Sequence, residues 1–305
     1  MDYNNLLITV GQAQKIAFDL FNIDGTARSL PGEIDSNFKV DSVDGKGYIL
    51  KVSRPQENIA YLDFQQRVLQ YAADHGRELI VPKVISDRWG NTISQFKDEY
   101  GQLRKVRLLT WISGRVWNGV NPQLDDLRLG LGKHCGKLTL ALQGFDHPEA
   151  HREFEWDVAQ GGWTTAHLSL FEAEKREIVS FFQDRFLRAQ PTYSLLRKAV
   201  VHNDANDHNV IVSEDLVAPA VVSAIDFGDA LHTQIINDLA VACAYAIMGH
   251  NDPLDAALPL VKGYHQEFAL EEGELEHLYI AIAMRLVISV TKSAINKKKE
   301  PGNTY

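Results

Sequence analysis

His202-Asn203-Asp204-Ala205-Asn206-Asp207-His208-Asn209, followed further along by Asp226-Phe227-Gly228-Asp229, is the stretch on which the reading of this chain turns. Between the two lie short apolar runs, Val210 to Val212 and Val221 to Ile225, joined by a loop that contains Pro219. That is the pattern of a small β-hairpin. If its strands pair antiparallel, Asn209 and Asp226 emerge at the same end, one neutral amide and one carboxylate. Such an oxygen pair suits Mg²⁺, which keeps several waters and takes further ligands from phosphates. Asp204 lies five residues before Asn209, in the connecting loop. There it is placed to accept a proton from an alcohol attacking phosphorus. His202 packs and braces this loop, and His208 is a plain loop residue. Alone, an Asp-Phe-Gly or a His-x-Asp triplet is ordinary turn composition. In this order, with a hairpin between them, the two are specific.

Phosphoryl transfer demands that charge around the nucleotide phosphates be neutralised, so a cation is expected upstream. Lys51, in Tyr48-Ile49-Leu50-Lys51-Val52, is that candidate, because a charge in mid-strand is unusual unless the face it occupies is polar. The bland alternative is a lysine whose stem lies along the sheet with its ammonium in water. The preceding segment, Ser29 to Asn37, contains Gly32 and small polar residues whose backbone amides can cover phosphates.

Working outward, Thr9 to Phe21 has helical spacing at Val10, Ala13, Ile16, Ala17 and Leu20. Asn37 to Val43 and Tyr48 to Val52 alternate about the turn residues Asp44 to Gly47, giving a first hairpin. A helix is expected from Gln56 to Ala73, then a second hairpin from Asn91 to Phe96 and Leu103 to Ile112. Beyond residue 113 the periodicity is mainly helical: Leu124 to Leu142, Phe171 to Ala189, Ile236 to Met248 and Leu275 to Ala294. The expected organisation is α+β: an antiparallel sheet lobe over 1–112 and a helical lobe over 113–305.

The chain has 305 residues, 45% of them apolar, enough to bury a substantial core. A net charge of −9 argues against nucleic acid as a partner. Lys297-Lys298-Lys299 reads as the cationic end of a helix, ahead of Pro301. No leader pattern opens the chain and no uninterrupted apolar run reaches membrane-spanning length, so a cytoplasmic protein with no membrane partner is expected. Cys135 and Cys243 read as buried free thiols. His134, His147, His151 and His167 lack the spacing of a zinc site, and neither GxxxxGK[ST] nor GxGxxG occurs. Oligomeric state is not readable.

Taken together, the HxDxxxxN spacing, DFG-D after a hairpin and the upstream strand lysine resemble the aminoglycoside phosphotransferase and choline kinase superfamily. Val106-Arg107-Leu108-Leu109-Thr110-Trp111-Ile112-Ser113-Gly114, His147-Pro148 with Arg152 and Trp156-Asp157, and Arg285-Leu286 with Ser289-Val290-Thr291 are similar to the hydroxylysine-kinase-like branch, including kinase domains fused to class III aminotransferases. The resemblance implies a bilobal protein-kinase-like fold, with the nucleotide, ATP or GTP, between the lobes and a hinge at Leu109, Thr110 and Trp111. It further implies Asp204 as base, Asn209 and Asp226 as Mg²⁺ ligands, Lys51 on the phosphates, and Asp238 bracing the catalytic loop. Two positions depart from the pattern. Asn203 stands where the family usually has Gly, and Gln65 where a helix glutamate normally pairs with the lysine. Asp63 is the carboxylate we name as its substitute.

The acceptor side is expected to involve Asp229, Asp207, Arg152 and Arg285, with Trp156 and Asp157 reading first as packing residues and second as pocket residues. The expected reaction is transfer of the γ-phosphoryl group to the hydroxyl of an amine-bearing metabolite, with 5-hydroxylysine favoured. Homoserine, choline, ethanolamine, an aminoglycoside, or a catalytically silent nucleotide-binding module are the alternatives.

Overall fold

A computed structural model describes residues 7–32 and 35–299. Its contacts divide the chain into two compact units, residues up to 74 with 80–113, and residues 75–79 with those from 114 onward.

The first unit opens with α1 (Val10–Phe21), started by a reciprocal cap. Thr9 Oγ1 accepts the Gln12 N–H at 3.2 Å while Gln12 Oε1 accepts the Thr9 N–H at 2.7 Å. Next come β1 (Gly25–Leu30), β2 (Ser36–Ser42), β3 (Gly47–Val52), α2 (Ile59–His75), β4 (Val84–Ile85), β5 (Ser94–Lys97) and β6 (Leu103–Thr110). The strands form one antiparallel sheet in the order β1-β2-β3-β6-β4, with β5 also paired to β6. Both expected hairpins are present. α2 starts later than its periodicity implies because Asn58 Oδ1 accepts the Ala60 N–H at 2.9 Å and so marks the helix start. β1 was not expected: as an edge strand of sequence GTARSL it has no apolar alternation to announce it. Ser29 and Leu30 therefore belong to a strand rather than to the covering segment, of which Glu33 and Ile34 lie outside the described residues.

Strand register divides this sheet into two unlike faces. Phe38, Val40, Leu50, Val52, Val106 and Leu108 pack against Ala13, Ile16, Ala17 and Phe21 of α1. The opposite face carries the row Asn37, Lys51 and Arg107, directly paired across β2, β3 and β6. Period-two alternation thus gathers Phe38, Val40, Leu50, Val52, Val106 and Leu108 under α1 and leaves Lys51 on the opposite face with Asn37 and Arg107, beside Ile49 and Leu109.

The second unit contains β7 (Arg115–Val116), α3 (Asp125–Ala141), α4 (Ala173–Tyr193), β8 (Lys198–Val201), β9 (Val210–Val212), β10 (Val221–Ala224), β11 (Leu231–Gln234), α5 (Ile236–Ala246), α6 (Pro253–Glu267) and α7 (Glu272–Lys299). Two small sheets, β10-β9-β7 and β11-β8, carry the loops that bear the chemistry. α5 is buried almost throughout, and α7 packs on it in the same core. α7 is apolar and long enough to cross a bilayer, yet much of it lies in this core, along with buried Glu274 and Arg285. It is accordingly a core helix of this unit. Lys297, Lys298 and Lys299 form its last turn, and Pro301 lies outside the described residues. Cys135 and Cys243 are buried free thiols. α6 escaped periodicity because Pro253 and Pro259 read as breakers, although Pro253 sits at the tolerated first turn behind an Asp252 cap.

α3 and α6 approach so closely that glycine is required on both. A Cβ on Gly132 would lie 1.9 Å from the Leu260 carbonyl oxygen, and one on Gly263 would lie 2.1 Å from that of Leu129. Gly132→Ala is therefore expected to cost about 1–3 kcal/mol through overpacking. Gly130→Ala, on the same helix, meets only Val221 at 3.9 Å and should stabilise by up to about 1 kcal/mol. Thermal melts of the two variants check this; equal shifts would contradict the packing argument.

Candidate active site

In the second unit the loop between β8 and β9 places Asp204 at the centre of a hydrogen-bond network. Its Oδ1 accepts from Arg285 Nη2 at 2.8 Å and from Asn206 Nδ2 at 2.9 Å, and its Oδ2 accepts from Asn209 Nδ2 at 2.7 Å. Asn206 also accepts the backbone N–H groups of His208 at 2.8 Å and Asn209 at 3.1 Å, which fixes the loop's curvature. Burial pushes the Asp204 carboxyl above the ordinary range; the Arg285 charge opposes this, and Asp229 and Asp226 reinforce it.

The loop is braced from below. Asn203 takes the left-handed conformation, φ 64°, that its position demands. Asparagine tolerates this region better than most residues. Its N–H donates to Asp238 Oδ1 at 2.8 Å, and its side-chain amide donates to the Asp229 carbonyl at 3.3 Å. Asp238 is buried on α5, and burial pushes its carboxyl up to about 6 against that hydrogen bond. The Asp207 carbonyl accepts the Asn118 N–H at 3.0 Å, tying the far end of the loop down.

His202 is fully buried, its ring edge-to-face against Phe227 at 4.6 Å. With Nδ1 at 3.2 Å from the Asp204 N–H, that nitrogen accepts, so Nε2 carries the proton and donates to the Ile225 carbonyl at 3.1 Å. His134 is held similarly, Nε2 accepting the Ala224 N–H at 2.9 Å. Burial drives both imidazoles down to about 4. We expect both to stay neutral, each as a single tautomer, across pH 5–7, read from imidazole ¹⁵N shifts. A transition near the free-histidine value would refute this arrangement. The sign follows: between about pH 6.5 and 4 the unfolded chain binds protons that these folded histidines refuse, so their contribution to stability declines as pH falls.

The hairpin strands pair antiparallel, with a register shift between Val221 and Ser223. Val210 pairs with Ala224, and the Ile225 N–H donates to the Asn209 carbonyl at 2.8 Å, so Asn209 and Asp226 flank its open end. Asp226 has φ 61°, and its Oδ1 accepts the Gly228 N–H at 3.3 Å. Non-glycine residues held in this region concentrate at functional sites. With its Nδ2 turned to Asp204, Asn209 has its amide oxygen as the remaining ligand atom. One carboxylate and one amide oxygen fit a hard divalent cation bound largely through phosphate and water.

The remaining candidates of this unit are placed as follows. Arg152 donates to the carbonyls of Ala230 at 2.8 Å, Glu149 at 3.0 Å and Gly228 at 3.2 Å, so it supports the DFG-D turn. Asp157 is buried and accepts from Thr233 Oγ1 at 2.8 Å, Gln160 Nε2 at 3.0 Å, Ala159 N–H at 3.1 Å and Asn237 Nδ2 at 3.2 Å. Burial raises its carboxyl even so. Arg285 is buried, donates to the Trp156 carbonyl at 3.0 Å, and stacks over the rings of Trp156 at 4.8 Å and Tyr245 at 5.6 Å. Lys292, two turns further along the same face of α7, lies over Trp163 at 5.3 Å and Trp156 at 5.9 Å and pairs with Glu155. Asn206, Tyr245 and Lys292 carried no role in the sequence reading. Asn206 stood inside the quoted motif, but the other two are brought in by α5 and α7, and no local pattern marks them.

In the first unit Gly32 has no room for a side chain, since a Cβ would lie 2.4 Å from Asn37 Nδ2 and 2.7 Å from the Asp35 carbonyl oxygen. At the expected hinge the Thr110 N–H donates to the Lys83 carbonyl and the Trp111 N–H to the Gly47 carbonyl, each at 2.9 Å, while Leu109 pairs with Ile49 and Val84. The Trp111 ring lies beneath Lys39 at 4.8 Å. Gln65 Oε1 accepts from Arg107 Nη1, which rises from the strand next to that of Lys51. Asp63 pairs with Arg67 at 2.6 Å on the outer side of α2.

The model of the phosphotransferase enzyme family (APH) matches residues 26–275. A hydroxylysine kinase of Danio rerio is 27% identical over 290 residues, covering 90% of this chain and 80% of the relative. Among solved structures, an amicoumacin kinase in complex with AMP-PNP, Ca²⁺ and Ami superposes with a TM-score of 0.73 at 17% identity, covering 92% of this chain and 85% of that one. A microcompartment-associated aminopropanol kinase superposes at 0.72 and 18%, covering 94% of each. The two units are those of a protein-kinase-like fold. With a family match over most of its length and this loop at its centre, the chain belongs to the phosphotransferase enzyme family and is a small-molecule kinase.

Proposed function

We propose that the chain transfers the γ-phosphoryl group of ATP or GTP to the hydroxyl of a cationic, amine-bearing metabolite, with 5-hydroxylysine the favoured acceptor. The observation that carries this reading is the Asp204 carboxylate, aimed by Arg285, Asn206 and Asn209 and raised by burial. In the reaction the acceptor oxygen attacks the γ-phosphorus, its proton passes to Asp204, and the bond to the β-phosphate oxygen breaks as the nucleoside diphosphate leaves. Lys51 holds nucleotide phosphate. Asn209 and Asp226 would hold Mg²⁺, which supplies charge neutralisation at the phosphates when bound.

Asp204, Asp207, Asp226 and Asp229 crowd the loops around the hairpin. A bound cation would neutralise part of this cluster, and the surplus favours an ammonium over a sugar phosphate. The named hydroxylysine kinase relative supports the same choice. A cytoplasmic enzyme fits these metabolites. The test compares 5-hydroxylysine with ethanolamine, homoserine and a neutral polyol of similar size, using both nucleotides and reading phosphate transfer. Preference for the polyol would overturn the charge argument; preference for ethanolamine would reject only the amino-acid acceptor.

A further inference from the structure

The polar face of the sheet holds a second cation that the reading so far has not used. Arg107 on β6 is the direct cross-strand partner of Lys51 on β3, so both side chains rise from the same face of adjacent strands. Its side chain is buried, 4% exposed. Nη1 donates to Gln65 Oε1 from α2, Nη2 pairs with Asp35 Oδ2 at 2.7 Å, and Nε has no hydrogen-bond partner among the described residues. A buried guanidinium with an unpaired N–H is costly, because its desolvation is only partly repaid. Gln65, an amide, accepts a hydrogen bond but brings no charge. Asp35 is the carboxylate paired with it, and it belongs to the segment beside Gly32 that leads into β2.

We propose that Arg107 is a second phosphate-binding cation beside Lys51, and that Asp35 is its resting counter-ion, displaced when a nucleotide polyphosphate binds. The inference rests on the reading that this unit binds the nucleotide. A guanidinium fork suits a phosphate as well as it suits a carboxylate, and an anionic oxygen of higher charge density competes for the same N–H groups. The substitution of glutamine on α2 is then coherent. A glutamate at 65 would add a second fixed negative charge at Arg107 and oppose the exchange, whereas Gln65 orients the guanidinium without competing for it.

A purely structural ion pair predicts the opposite response to one substitution. Asp35→Asn removes the competitor and keeps the shape. Affinity for ATP and for inorganic triphosphate, measured by calorimetry on the full chain, should rise about three- to tenfold, with adenosine binding unchanged. Arg107→Met should weaken ATP about ten- to hundredfold, again sparing adenosine, and in the double variant the gain from Asp35→Asn should vanish. If Arg107→Met does not fold, Asp35→Asn alone still decides. Weaker or unchanged triphosphate binding in Asp35→Asn, in a chain whose wild type binds ATP, overturns the inference and leaves the kinase reading standing. A wild type that binds no nucleotide overturns both.

Discussion

Asp204→Asn is expected to lower kcat by about a hundredfold to ten-thousandfold, the range for losing a general base, with a far smaller change in nucleotide affinity. Both oxygens of Asp204 are acceptors in the resting enzyme, one toward Arg285 and Asn206 and the other toward Asn209. An amide has one accepting oxygen, so one side of the network stays satisfied while the other meets an N–H₂ group. The replacement therefore removes the proton acceptor and loosens the loop at Asn206 or Asn209, while Asp226 and Lys51 keep their side chains. Single-turnover phosphate transfer, measured beside nucleotide titration, separates the two effects. Wild-type turnover in this variant would remove Asp204 from the mechanism.

The second large effect belongs to Asp226. Asparagine is the informative replacement, since the residue holds φ 61° and alanine would add backbone strain to the loss of charge. Asp226→Asn keeps the turn and an oxygen ligand but removes the full carboxylate assigned to the cation. We expect kcat/KM to fall by about a hundredfold or more, as for other losses of charge stabilisation in phosphoryl transfer. The dependence of nucleotide affinity on Mg²⁺ should collapse with it. Titration with ATP in Mg²⁺ and in EDTA checks this, and an unchanged ratio between the two conditions would place the cation elsewhere.

Much of the fold was legible because alternation and helical period are local properties. Val10 to Leu20, the β2 and β3 hairpin, and α3, α4, α5 and α7 all show one apolar face at the period of their element. Where an element lacks such a face, or proline interrupts it, the reading failed. β1 is an edge strand with polar residues on both sides, and α6 carries Pro253 and Pro259. The close approach of α3 to α6 had no signature either, since Gly132 and Gly263 lie far apart in sequence and each is an unremarked glycine on its own.

Within the candidate site the same division holds. Sequence by itself determined the order His202, Asp204, Asn209 and Asp226, and the hairpin between them, because a loop of set length on an antiparallel pair leaves Asn209 and Asp226 little choice but the same end. The family resemblance marked Asn203 as a position where Gly is usual, and the left-handed backbone found there, φ 64°, is the reason a glycine suits it. The partners of these residues were decided by tertiary structure alone. Arg285 reaches Asp204 from the last helix, and although the resemblance implied that Asp238 braces the loop, its contact with the Asn203 N–H from α5 came only from the packing. Arg107 meets Gln65 because strand register, set by pairing across β3 and β6, brings a second cation to the face on which Lys51 was read. Side chains distant in sequence meet only when packing closes the chain, and the charge each one finds there is a property of that packing rather than of its neighbours along the backbone.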